Sequence, residues 1–460
     1  MTIIKFRIIA GLLSITSLII NSSNILCAQS TVHEVQSYID ERVSRDVNQG
    51  IVVGIITFSG TQFFQAGTYS QEDQRPITPD TLFEIGSASQ LFTASATAVL
   101  VKEKQFSWQS PVNPLLPKDA DPPNWQGKSM RIFDLATHSA ALPRLPLNLD
   151  PKANRANPYA HFTQQDLYRN ISQAQFPYAL GQKYEYSQYG YAILGHALEL
   201  RTAKTYETIL RETLTTPLNL KSTTTEPNPQ QLKNLARGHL GLAPAENWDY
   251  NAMIGDGGIY TSAKDMLQFL GAHLGLFKNS LTPILKPLQA RYLTTHLEHT
   301  HIGYAWHITQ KDADPIHWIS GITGGYSAFI GMNILQRKGV VVLSNTSESI
   351  DEIGFNLLAP NKYPLGRLPK LYPIPAKLLE NYTGNYKITP QVSLTVTRKG
   401  GRLYVQFTGE PKFRVYPVSE KTFEYAHGKR ILKFDIKRKG KARSVSVIEN
   451  FKSLTAKRIR

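Results

Sequence analysis

The chain has 460 residues, 41% of them apolar and 10% aromatic, which exceeds a single core and excludes global disorder, so two globular domains are expected. Its formal net charge of +16 is unevenly placed: residues 371–460 hold twenty Lys and Arg against six Asp and Glu, and the stretch between the first thirty residues and 370 is close to neutral. With one cysteine, Cys27, no disulfide scaffold can form within the chain, and no recognisable nucleic-acid-binding motif accompanies the basic charge.

Residues 1–30, MTIIKFRIIAGLLSITSLIINSSNILCAQS, join a basic start to an apolar run broken by small polar residues and a polar end. This is the pattern of a secretory signal, too short and too polar for a membrane span, with cleavage expected after Ala28. Removing residues 1–28 also removes Cys27, which excludes thiol catalysis from the mature protein. Bulky Leu26 argues against a lipid-modified Cys27. The expected location is periplasmic or secreted.

Residues 31–48 show helical apolar spacing, and IVVGIITFSGTQFFQAGTYS (51–70) alternates as a hairpin would. A mostly helical region follows from about 88 to 280, broken by Pro-rich loops at 111–124 and 142–158. GYAWHI, HWISGITGGYSAFIGMN and KGVVVLSNT, between 303 and 346, read as successive strands of the same sheet. Strands from both ends with helices inserted between them predict an α/β domain over residues 29–357. Residues 358–375 contain five prolines and read as a linker. Beyond it, alternating short strands punctuated by Lys-Gly-Gly and His-Gly-Lys predict a small antiparallel β-barrel or sandwich over 376–460. Its positive charge suits an anionic envelope surface such as lipid head groups or wall polymers.

The chemistry centres on EIGSASQLFTASATAVL (84–100). A serine at a helix N-terminus is served by backbone N–H groups that stabilise negative charge. A base three residues on would project from the same face. Ser87 fits the nucleophile, but the position of the base is occupied by Gln90.

FEIGSASQLFTA, IFDLATHSAALPRLP, YEYSQYGYAILGHALE, NWDYNAMIGDGGIYTSAKDMLQFL and HWISGITGGYSAFIG occur in an order that resembles the serine β-lactamase and penicillin-binding-protein superfamily. The resemblance is nearest to the class C β-lactamase and related-esterase branch, runs from about 31 to 360, and extends to the β-barrel appended to many such hydrolases. It implies Ser87 as nucleophile and Tyr186 as the tyrosine that passes a proton to the leaving group. It also implies the backbone N–H groups of Ser87 and Ile322 as oxyanion donors. Three positions depart from the family. Gln90 stands for the lysine base, Gln188 for the substrate-orienting asparagine, and Ile319 for the Lys or His of the strand motif.

A neutral amide cannot take the serine proton, and loss of a base costs about 10²–10⁴ in rate. Gln188 keeps amide groups but displaces them by a methylene, and Ile319 loses a charge or an imidazole. The expectation is therefore an exported pseudo-hydrolase whose cleft holds a peptide, a cell-wall fragment or an ester-like small molecule with little turnover. The alternative is an active serine hydrolase of β-lactamase, D-peptidase or esterase type, with Tyr186 or His317 moving the proton. His317 is two residues from Ile319 and so shares its strand face. His138 reads as a structural hydrogen-bonding residue, and Asp256 and Lys264 are assigned no chemistry. The cluster His296, Glu298, His299 and His301 matches neither HExxH nor zinc-finger spacing, so no metal is expected. No cofactor is implied.

Overall fold

A computed structural model describes residues 34–150, 154–410, 412–425, 430–436, 440–449 and 452–459. The expected signal sequence with Cys27 and the His-Gly-Lys turn lie outside the described residues. The two most apolar runs, IVVGII and GVVVL, become neighbouring central strands. The sheet uses β1 (Gly50–Thr57), β2 (Gly60–Gly67), β3 (Leu293–Thr294), β4 (Thr300–Ile302), β5 (His307–Thr309), β6 (Ile316–Ile322), β7 (Ser327–Asn333) and β8 (Lys338–Ser344). Among the described residues these form one eight-stranded sheet in the order β2-β1-β8-β7-β6-β5-β4-β3, and each pairing is antiparallel.

Val53 lies opposite Val342 in the β1–β8 register. Side-chain alternation sends Ile51, Val53, Ile55, Val340 and Val342 to one face, and Val52, Ile56, Val341 and Leu343 to the other. Both faces are covered, so neither strand needs a polar side, and that is why the runs are unbroken. Over the first face lie α1 (residues 34–44) and, from the far end of the domain, α5 (Asp351–Leu358). Arg42 of α1 is fully buried and donates to Asn48 Oδ1 (2.7 Å), Ser349 O (2.8 Å) and Glu352 Oε1 of α5 (2.6 Å). Over the second face lies the helical region, with α2 (Gln90–Lys102), α3 (Gln188–Thr202) and α4 (Ala263–Leu274). In α2 every residue from Gln90 to Leu100 is buried, as expected of a helix enclosed on all sides.

The turn that precedes α2 is pressed against β6. A Cβ on Gly321 would fall 1.8 Å from the Ile85 carbonyl oxygen and 2.9 Å from the Ala88 nitrogen. A Cβ on Gly86, itself at φ +50°, would lie 3.1 Å from the Ile322 carbonyl oxygen and 3.2 Å from its nitrogen. These two glycines bring the end of β6 and the Ser87 turn into contact.

The terminal region is a closed antiparallel barrel, eight-stranded among the described residues, from Gly384–Lys387 to Lys452–Arg458. Its alternating apolar residues, among them Leu394, Val396, Leu403, Val405, Phe423 and Phe434, fill the interior, and closure removes the exposed strand edges. The Lys-Gly-Gly turn is made by Gly400 at φ +59°. The barrel docks beside α1, where Asp46 accepts from Arg402 Nη1 (2.8 Å) and from the Tyr404 hydroxyl (3.1 Å).

Two substitutions test these supports. Glu352→Ala removes the carboxylate from a fully buried guanidinium, and the expected loss in urea unfolding is about 3 kcal/mol. Gly321→Ala forces the nucleophile turn off β6. Overpacking of this kind costs about 1–3 kcal/mol, and any reactivity of Ser87 should fall with it.

Candidate active site

Ser87 is half-buried in a 3-10 turn, Gly86–Ser89, that runs directly into α2. It opens onto a cavity of about 450 Å³. Tyr186 and Gln188, either side of the α3 N-cap Ser187, form the wall facing it, and Ile319 and Ile322 of β6 form another. Tyr159, Tyr184, Trp248, His307 and Trp318 make the cavity strongly aromatic, and Arg144 is the cation in its lining.

Beneath Ser87 lies a buried polar network built around Asp256. Gln90 Nε2 donates to Asp256 Oδ1 (2.7 Å) and to the Tyr186 hydroxyl (2.9 Å). Gln188 Nε2 donates to Asp256 Oδ2 (2.8 Å), with Tyr159 Oη at 3.3 Å and Ser87 Oγ at 3.5 Å. The orientation of the Gln90 amide is fixed from outside. The Ser187 backbone N–H can only donate, and it meets His138 Nδ1 at 3.1 Å. His138 must then carry its proton on Nε2, which faces Gln90 Oε1 at 3.2 Å. Gln90 thus accepts once and donates twice.

Asp256 reaches this position because Gly255-Asp256-Gly257-Gly258 threads a narrow gap. A Cβ on Gly255 would fall 2.2 Å from the Tyr191 carbonyl of α3, and one on Gly257 would enter the Tyr250 ring. Burial raises the Asp256 carboxyl to about 6, against the opposing hydrogen bonds of Gln90 and Gln188, the charge of Arg144 and the nearby Ser87 hydroxyl. Burial and the Asp256 charge push the Tyr186 phenol well above its ordinary value. Burial holds His138 neutral, well below the usual histidine range.

The oxyanion side follows from strand pairing. Thr323 N donates to Tyr326 O at the start of the β6–β7 turn, so by alternation the Ile322 N–H points to the opposite edge of β6. That edge pairs with β5 only as far as Trp318, which leaves Ile322 N–H facing the Gly86–Ser87 turn. Two backbone donors converging on the serine suit a tetrahedral oxyanion.

The structure brings Ser87, Gln90, Tyr186, Gln188, Ile319 and the Ile322 backbone together. It does not bring His317 to them. His317 is buried, hydrogen-bonds through Nε2 to the Gln289 carbonyl (3.1 Å) and is depressed by burial to about 4. Lys264 pairs with Asp80 at the surface. Of the histidine cluster, His296 faces the cavity against Tyr184 (ring centroids 5.6 Å apart), and His299 pairs with Glu298. No group of three or more metal-ligating side chains occurs among the described residues.

Three residues of the site had no role in the sequence reading. Asp256 is assigned no chemistry from sequence, although a carboxylate flanked by three glycines in a domain core is a usable signal. His307 stacks on Trp318 and meets the Tyr184 hydroxyl at 3.0 Å. Arg144 lies over the Tyr186 ring at 5.1 Å.

Comparison with known proteins agrees with this fold. The family model described as Beta-lactamase matches residues 35–356, and a domain of unknown function, DUF3471, matches residues 368–458. A D-alanyl-D-alanine-carboxypeptidase/endopeptidase, AmpH of Escherichia coli K12, is 27% identical over 268 residues, covering 55% of this chain and 68% of that protein. The class C β-lactamase of Rhodobacter sphaeroides superposes with a TM-score of 0.60 at 23% identity, over 69% of this chain and 95% of that one. An octameric penicillin-binding protein homologue from Pyrococcus abyssi superposes at 0.63 with 21% identity, over 93% of this chain and all of that one. Because the family match takes in every element that builds the cavity, and well over half of the chain, this protein belongs to the Beta-lactamase family.

Proposed function

We propose that the protein is an exported serine acyl-transfer enzyme that forms a Ser87 acyl-enzyme with a small peptide or ester carrying an anionic group. The observation that carries this reading is the convergence of the Ser87 hydroxyl, two backbone N–H donors and the Tyr186 phenol on one open aromatic cavity. Attack of Ser87 Oγ on the acyl carbon moves the carbonyl electrons to oxygen, where the N–H groups of Ser87 and Ile322 receive them. Tyr186 accepts its hydrogen bond from Gln90, so its own proton is free to reach Ser87 or the leaving group. It serves as an acid. With Ile319 uncharged, Arg144 at the mouth supplies the cation for a substrate carboxylate. The similarity to a protein named as a D-alanyl-D-alanine-carboxypeptidase/endopeptidase supports a peptide as the acyl donor. The basic barrel, net +14 over residues 371–460, would hold the enzyme near an anionic envelope surface.

A second reading, a cleft that binds without turnover, is favoured by one observation: Gln90 cannot act as a base and is fully committed to hydrogen bonds. Intact-mass measurement separates the two. After incubation with a penicillin, and separately with p-nitrophenyl acetate, the expected result is a covalent adduct or ester turnover that Ser87→Ala abolishes. Neither signal with either reagent would support the binding cleft instead.

A further inference from the structure

We propose that Asp256 is the general base of the site, taking the Ser87 proton in place of the absent lysine; this rests on the acyl-transfer reading above. A shared donor holds the two groups side by side. One amide nitrogen, Gln188 Nε2, touches both Asp256 Oδ2 and Ser87 Oγ, and the Ser87 hydroxyl is close enough to the carboxylate to favour its ionised form. Gln188 donates to Ser87 Oγ, so the serine proton is left to point elsewhere. Among the polar groups around it, Asp256 is the anion.

The steps balance. As Ser87 Oγ bonds to the acyl carbon, its proton passes to Asp256 and the carbonyl π pair becomes the oxyanion. Collapse of the oxyanion breaks the bond to the leaving group, which takes a proton from Tyr186; water entering the open cavity as that group departs returns a proton to Tyr186 and takes one from Asp256. In the second half a water adds to the acyl carbon and gives its proton to Asp256. That proton is returned to Ser87 Oγ as the acid product leaves.

The groups facing Asp256 do not compete with it for protons near neutrality. Tyr159, Tyr186, Tyr191, Tyr206 and Tyr250 are all raised by burial. Burial keeps His138, reached through Gln90, neutral. The carboxyl at about 6 is poised for proton transfer at physiological pH. Its folded-state value lies above the ordinary 3.8, so its linkage favours the fold at low pH and is lost as pH rises through about 6. A loss of activity on acidification is then titration of the base, not unfolding driven by this group.

The test is the pH dependence of Ser87-dependent hydrolysis of p-nitrophenyl acetate, with Ser87→Ala as the background. The expected wild-type kcat/KM rises roughly tenfold per pH unit below the inflection and levels off above it, with the inflection near 6. Asp256→Asn should lower kcat about 10²–10⁴-fold and erase the inflection. If Asp256→Asn does not fold, Gln90→Met decides, because loss of a donor to Oδ1 should move the inflection to higher pH. An Asp256→Asn variant within about threefold of wild type, or a Gln90→Met profile with an unmoved inflection, overturns Asp256 as the base while Ser87 catalysis stands. Absence of any Ser87-dependent turnover or adduct in the wild type overturns the acyl-transfer reading, and the base with it.

Discussion

A carboxylate enclosed without an adjacent cation must be met by neutral donors, and Asp256 imposes this constraint on everything around it. Two charge-assisted amide bonds, at about 1.5–3 kcal/mol each, offset most of the several kcal/mol lost on desolvation. The residual rise of the carboxyl to about 6 shows that desolvation still wins by a few kcal/mol. Removing either glutamine would widen that deficit. Gln90 and Gln188 are therefore better understood as the partners Asp256 requires than as independent losses. A smaller side chain at 188 would have its amide one methylene short of Oδ2, and an ammonium at 90 would place a cation where the present network supplies dipoles.

The same constraint fixes the direction of every proton in the site. Ser187 N–H sets the His138 tautomer, His138 sets the Gln90 amide, and Gln90 leaves Tyr186 as an acceptor from below. A cation under Tyr186 would lower its pKa and prepare a phenolate, whereas an anion there raises it. Tyr186 consequently keeps its proton, the form that the proposed acid role uses. The electrostatic sign of the site is opposite to the one implied by the family resemblance, and the roles of its residues follow that sign.

Much of the fold was legible because it is written in local periodicity. The unbroken runs of β1 and β8, the hairpin at 50–67 and the alternating strands of the barrel follow from which faces are covered. The Ser87 turn and the Tyr186-Ser187-Gln188 segment were legible because each is a short continuous motif at a helix start. Asp256 was not, since it meets Gln90 across 166 positions of sequence and only the packing of three glycines brings it there. His317 shows where local periodicity stops being informative. Sharing a strand face with Ile319 is a correct local inference, yet the Gln289 carbonyl claims its imidazole. His307 enters the cavity instead, through the β5–β6 register that sets it opposite Trp318, and no periodicity in the sequence reports that register.

Ile319 and Arg144 set the charge of the cavity wall and mouth. A cation on β6 would sit on the wall beside Ser87 and draw an anionic ligand down toward Asp256, where two negative charges would oppose one another. Ile319, buried at the same wall, presents only hydrocarbon there. Arg144 places its guanidinium over the outer face of the Tyr186 ring, exposed at the mouth, and has no carboxylate ion-pair partner among the described residues. In the proposed acyl-transfer reading, an anionic group would meet Arg144 while the neutral acyl carbon reaches Ser87. The lining is thus graded in charge along its depth, a cation at the mouth and hydrocarbon beside Ser87, which is the arrangement the proposed carboxylate base demands.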